Sequence, residues 1–202
     1  MKLGKAVLLI VLIFPYCLAQ DGVASKHVSP VDFFKEDITL AINDGFAEIS
    51  GAYYFRNNTE RDGRIPIAFP FYVDSLSLYP DEIEAFMIDE NDTTCLDYRD
   101  SEKQMGIMIG IPLIPGQITI WYLNYRQRIL APKARYILTS TAAWGKPLEE
   151  ATYCFVVPSS FENIRAWPEP DTVIEEGARR EYLARRTDFM PTQNMEIEWK
   201  SK

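Results

Sequence analysis

The chain has 202 residues, of which 47% are hydrophobic and 25% charged, and carries a formal net charge of −8. An acidic surface repels phosphate backbones, and no basic patch with interleaved aromatics offsets this, so nucleic acid is excluded as a partner. The single histidine, His27, and the absence of H-E-x-x-H, C-x-x-C, G-x-S-x-G and Gly-rich phosphate-loop patterns remove the usual supports for zinc, redox, hydrolase and nucleotide chemistry; no cofactor, metal site or catalytic residue is expected.

Residues 1–19 have the layout of a secretory signal peptide: Lys2 and Lys5, an apolar run from Ala6 to Phe14, then small residues ahead of a cut after Ala19. The run is too short for a permanent membrane span. Lipidation at Cys17 is the rival reading, and the bulky Phe14, Pro15 and Tyr16 before it oppose that. Cleavage removes two lysines and no acid, taking the charge from −8 to −10. The expected product is a soluble secreted or periplasmic protein.

A polar leader is expected over 20–36, followed by one domain over 37–158. Asp37 to Ile42 alternates at period two and stops at Asn43-Asp44-Gly45, a hairpin turn signal. Phe46 to Arg56 reads as the second strand, with Ala47, Ile49, Gly51, Tyr53 and Phe55 on one side. Asn57 to Gly63 has the residues of a hairpin loop rather than a catalytic one. A third strand follows at Ile65 to Phe71, where Pro66 and Pro70 limit pairing. Further strands are expected at 83–88, 93–98, 105–112, 117–126, 136–141 and 150–157. Short strands separated by turn chemistry, without alternating helices, predict a mainly β fold: an antiparallel β-sandwich, immunoglobulin-like or related.

The tail over 159–202 has a different texture. Pro158, Pro168 and Pro170 punctuate a loop. From Thr172 to Arg186 the acids Glu175 and Glu176 come early and the bases Arg179, Arg180, Arg185 and Arg186 late, which suits a helix dipole and predicts a short surface helix or extended arm. Met195 to Trp199 alternates and predicts a final edge strand.

Cys95 and Cys154 lie 59 positions apart in a chain expected to meet an oxidising compartment. A bridge closing so long a loop stabilises a fold by roughly 3 to 4 kcal/mol; two unpaired core cysteines are the other reading. Asn57-Asn58-Thr59 and Asn91-Asp92-Thr93 have the form of glycosylation acceptors. The acidic clusters near Asp81, Asp89 and Asp97 sit in turn contexts, where solvation accounts for them; calcium binding and a carboxylate-pair glycosidase are the sharper alternatives. Trp144 and Trp167, in loops, and Tyr125 with Arg126, on the long strand, are the candidate ligand-binding residues.

Ala47-Glu48-Ile49 through Tyr54-Phe55-Arg56-Asn57, followed by Phe69-Pro70, resembles the opening of the vault/inter-alpha-trypsin type domain and related secreted bacterial β-sandwich domains of unknown function. The similarity continues through Tyr125-Arg126 and Tyr136-Ile137-Leu138-Thr139 to Trp144-Gly145-Lys146-Pro147-Leu148. The resemblance implies a non-catalytic extracellular module that meets other proteins, and it carries over no catalytic residue. The expected function is therefore an exported binding or structural interaction module, meeting an extracytoplasmic protein through edge strands or the C-terminal arm. Glycan binding through the loop tryptophans and a glycoside-active carboxylate enzyme are the alternatives.

Overall fold

The computed structural model describes residues 30–89, 92–101 and 105–200. The expected signal peptide, most of the expected leader with His27, and the expected acceptor Asn91 lie outside the described residues. In chain order the strands are β1 (Val31–Asn43), β2 (Phe46–Asn57), β3 (Gly63–Pro70), β4 (Glu82–Asp89), β5 (Asp92–Cys95), β6 (Tyr98–Asp100), β7 (Gly106–Leu113), β8 (Ile118–Arg128) and β9 (Lys133–Tyr136). A 3-10 turn (Thr139–Trp144) precedes β10 (Leu148–Pro158), β11 (Glu162–Trp167), β12 (Thr172–Glu176), β13 (Arg179–Phe189) and β14 (Met195–Lys200).

These strands form an eight-stranded sheet, ordered β12-β13-β10-β1-β2-β8-β4-β5, and two three-stranded sheets, β11-β14-β9 and β3-β7-β6. All pairings are antiparallel except β1 with β10. The arrangement is the predicted β-sandwich: the small sheets cover one face of the large one. Strand alternation builds the core. Ile38, Leu40 and Ile42 of β1, the predicted set Ala47, Ile49, Tyr53 and Phe55 of β2, and Trp121, Leu123 and Tyr125 of β8 all turn inward. Ile107, Ile109 and Ile111 of β7 and Tyr136, Met195 and Ile197 of the other small sheet meet them. The layers also touch through polar atoms, since the Tyr53 and Tyr136 hydroxyls lie 2.8 Å apart.

Local chemistry explains the turns. Asp44 and Gly45 both have positive φ, 44° and 81°, as a two-residue hairpin loop requires. The Asn57 carboxamide oxygen accepts from the Thr59 N–H at 3.0 Å and hydroxyl at 2.8 Å, while its nitrogen donates to the Arg61 carbonyl at 3.0 Å. Turn chemistry is thus present at 57–63, but β2 and β3 belong to different sheets, so the loop carries the chain between layers and is not a hairpin. Asn57 itself is buried and engaged in these bonds, which withdraws it as a glycan acceptor. Pro66 and Pro70 are tolerated because β3 is an edge strand.

Several expectations are corrected. The leader is shorter than expected: β1 starts at Val31, and Phe33 and Phe34 are buried. The strand expected at 136–141 is β9 followed by the 3-10 turn. The predicted helix over 172–186 is the β12–β13 hairpin, turning at Gly177 with φ 59°. The acid-then-base order that suits a helix dipole also places opposite charges across a tight hairpin, and here Glu176 faces Arg179 and Glu175 faces Arg180. β-branched Thr172, Val173 and Ile174 favour the extended form. The tail is therefore no arm. Its last strand, β14, is the central strand of its sheet and not an edge, with Met195 and Ile197 fully buried.

Cys95 and Cys154 are both free thiols. Cys95 ends the outermost strand β5, and Cys154 lies on β10 five strand spacings away, about 24 Å at 4.8 Å per strand, far beyond the reach of a disulfide. Partial burial, and then the charge of Glu181, push the Cys154 thiol up to about 11.

Candidate functional site

The four residues singled out in the sequence fall in four different settings. Tyr125 is only 3% exposed, with its ring 4.7 Å from Phe71 and its hydroxyl buried without a partner; burial pushes its pKa far up. It is a core residue, because the alternation of β8 that buries Trp121 and Leu123 buries Tyr125 as well. Arg126, its outward neighbour, donates from Nε and Nη2 to the two oxygens of Asp81 at 3.1 and 3.0 Å and lies over the Phe46 ring at 4.6 Å. Trp144 ends the 3-10 turn and packs on Phe33 and Phe55, at centroid distances of 5.6 and 5.2 Å. Both are engaged with neighbouring side chains. Among the described residues, no three His, Cys, Asp or Glu side chains come together as a metal site.

Trp167 differs. It ends β11, opposite Glu196 of β14, which in turn is opposite Arg135 of β9. Because Ala134, Tyr136, Met195 and Ile197 point to the core, Arg135, Glu196 and Trp167 form a row on the outer face of this sheet. Tyr72, just after β3, and Gln193 and Asn194, in the link between β13 and β14, complete the walls of a recess of about 250 Å³. It lies where chain segments from all three sheets meet.

Its polar groups are firmly set. Arg135 donates from Nε to Glu196 Oε2 at 2.6 Å and from Nη1 to the Tyr72 hydroxyl at 2.6 Å and Asp74 Oδ2 at 3.3 Å. The guanidinium also lies over the Tyr72 ring, 4.8 Å from its centroid. Lys133 reaches Glu196 Oε2 at 2.7 Å and Glu198 Oε1 at 2.6 Å. Tyr72 is anchored from behind by the buried Gln127, whose amide donates to the Tyr72 carbonyl at 2.6 Å. Asn194 Oδ1 accepts from the Thr139 N–H at 3.3 Å and hydroxyl at 2.9 Å, which leaves Nδ2 as its donor.

Partial burial works against the charges of this cluster, and the ion pairs outweigh it. The Lys133 and Arg135 hydrogen bonds hold the Glu196 carboxyl below the usual carboxylate range despite desolvation, and bonds from Glu196 raise Arg135 and Lys133. The ladder is thus ionised on both sides near neutrality.

Sequence reading found Trp167 and missed the rest of the recess. The alternation in Lys133-Ala134-Arg135-Tyr136 and in Met195-Glu196-Ile197-Glu198-Trp199 was the available signal: two strands with opposite charges at every second place fit as neighbours.

No protein-family model and no curated protein sequence matches the chain. Solved structures do resemble it. A candidate nutrient binding protein of Legionella pneumophila superposes with a TM-score of 0.62 at 12% identity, over 83% of this chain and 66% of that one. A two-domain M1 zinc metallopeptidase, bound to L-tryptophan, superposes with a TM-score of 0.51 at 12% identity, over 85% of this chain and 43% of that one. The chain spans just under two thirds of the first protein and less than half of the second. At such identity the likeness is one of fold.

Proposed function

We propose that this chain is an exported, non-catalytic binding module whose site is the recess between Tyr72, Arg135, Trp167 and the Gln193-Asn194 pair. The carrying observation is that residues with unused hydrogen-bonding capacity line one concave spot. Among the described residues, Arg135 Nη2, Asn194 Nδ2, the Gln193 amide and the Trp167 indole N–H have no partner, although their neighbours are rigidly bonded. A few fixed polar groups beside aromatic rings are the usual makeup of a small-ligand site. The fold likeness to a protein named for nutrient binding supports the reading. Export follows from the layout of residues 1–19.

A thermal-shift screen of the mature protein against small polar metabolites tests this. At least one compound should raise the melting temperature of the wild type and leave Trp167→Ala unmoved. A stabilising compound that acts equally on both proteins places the site elsewhere.

A second reading concerns the edge of the large sheet. All five residues of β12 are exposed, including Val173 and Ile174, and an edge strand is a template for an added strand. Recovery of a stoichiometric protein partner by the wild type but not by Val173→Pro would establish this mode, and recovery by both would dismiss it.

A further inference from the structure

Resting on the binding reading above, we propose that the recess takes an uncharged sugar ring, packed by a C–H face on the Trp167 indole and held at its hydroxyls by Asn194, Gln193 and Arg135. Charge balance is the first reason. On the small sheet Lys133, Arg135, Arg165 and Lys200 stand against Glu162, Glu196 and Glu198, and Asp74, from the segment after β3, pairs with Arg135, so the charges balance, paired directly or opposed in register. An ion entering the recess gives up hydration and meets no net opposite charge, which is costly. An uncharged polyol gives up only hydrogen bonds, and the recess replaces them.

Bonding capacity is the second reason. Asn194 Nδ2 and Arg135 Nη2 donate, Glu196 Oε1 accepts because both cations bond to Oε2, and Gln193 does both. A carboxylate can only accept and an ammonium can only donate, whereas a hydroxyl does both from one atom. The third reason is shape. At about 250 Å³ the recess lies below the roughly 300–1,000 Å³ of sites for drug-sized ligands, which limits it to a single ring. Arg135 already covers Tyr72, and Trp167, half-buried with the Phe189 ring 6.2 Å away, is the other aromatic side chain lining the recess and the one offered to the ring.

The mature protein is titrated by tryptophan fluorescence, with calorimetry alongside, against two probe sets at up to millimolar concentration. One set holds neutral sugars: methyl glucoside, methyl galactoside, methyl mannoside and N-acetylglucosamine. The other holds charged probes: acetate, glutamate, lysine and choline. A neutral sugar should saturate, bind about tenfold more weakly to Trp167→Ala and several-fold more weakly to Gln193→Ala, and bind Arg126→Ala as it binds the wild type. Should Trp167→Ala lose its native circular dichroism, Gln193→Ala decides alone. Saturation only by a charged probe, weakened by the same substitutions, overturns the sugar assignment and leaves the binding site standing. A sugar whose binding ignores both substitutions, or silence from both probe sets, overturns site and ligand together.

Discussion

Glu36 places a carboxyl between the layers, and its titration should be visible in the stability of the whole protein. It is 2% exposed and accepts a hydrogen bond of 2.7 Å from the hydroxyl of Tyr153, which is itself fully buried. The interior around it contains Tyr53 and Tyr136, and Asp37 follows it on β1. Burial raises its pKa from 4.5 to about 7; the Tyr153 bond resists the rise, and the Asp37 charge adds to it. A raised pKa means that the folded state holds the proton more tightly than the unfolded state. The stabilisation is complete below pH 4.5, declines as pH rises, and is gone above about 7. Over that span the loss is about 3 kcal/mol, at 1.36 kcal/mol per pKa unit. Glu36→Gln keeps an acceptor for Tyr153 and abolishes the titration. Urea unfolding of both proteins across this range should therefore show wild-type stability falling relative to the variant by about 3 kcal/mol. Referencing to the variant cancels the opposite slope from carboxylates such as Asp81 and Glu149, whose pKa values are lowered by Arg126 and Arg56. Parallel curves, with a difference that does not change with pH, would refute the assignment of a neutral buried acid. Tyr153→Phe removes the bond that favours the charged form, so it should move the window to higher pH.

Other substitutions probe the packing. A Cβ at Gly51 would sit 2.3 Å from the Tyr53 hydroxyl, which is held by Tyr136, so Gly51→Ala should lower unfolding free energy by about 1–3 kcal/mol at unchanged m-value in urea melts. Trp144→Ala should cost about 2–4 kcal/mol through lost contacts with Phe33 and Phe55 while leaving recess binding intact, as read by calorimetry and ligand titration. Because Cys95 and Cys154 are free and five strand spacings apart, alkylation of the unreduced, denatured protein should modify both, and reductant should leave its melting temperature unchanged. A Gly177→Val change at φ 59° should loosen the β12–β13 hairpin by about 1–2 kcal/mol, seen as faster amide exchange in those strands.

The alternation of apolar and polar side chains in Phe46–Asn57 was enough to name that strand's inward face, and Asn43-Asp44-Gly45 enough to place the turn before it. Those are local properties: the period of a strand and the backbone angles of a turn are written in adjacent residues. The same alternation, applied consistently, would have removed Tyr125 from the binding candidates, since it shares parity with Trp121 and Leu123. Trp167 was legible as a loop-edge aromatic, but nothing adjacent to it marks the recess.

What the chain by itself determined is its class: strand after strand with one greasy side, in a chain of net negative charge with a single histidine. What only the tertiary structure decided is who neighbours whom. It set β12 against β13 as a hairpin rather than a helix, because cross-strand pairing and a dipole read the same order of charges. It placed β14 at the centre of a sheet, separated Cys95 from Cys154, and gathered Tyr72, Arg135, Trp167, Asn194 and Glu196 from positions scattered over half the chain. Register between distant strands depends on the joint burial of many faces at once, and no single stretch of sequence contains that information.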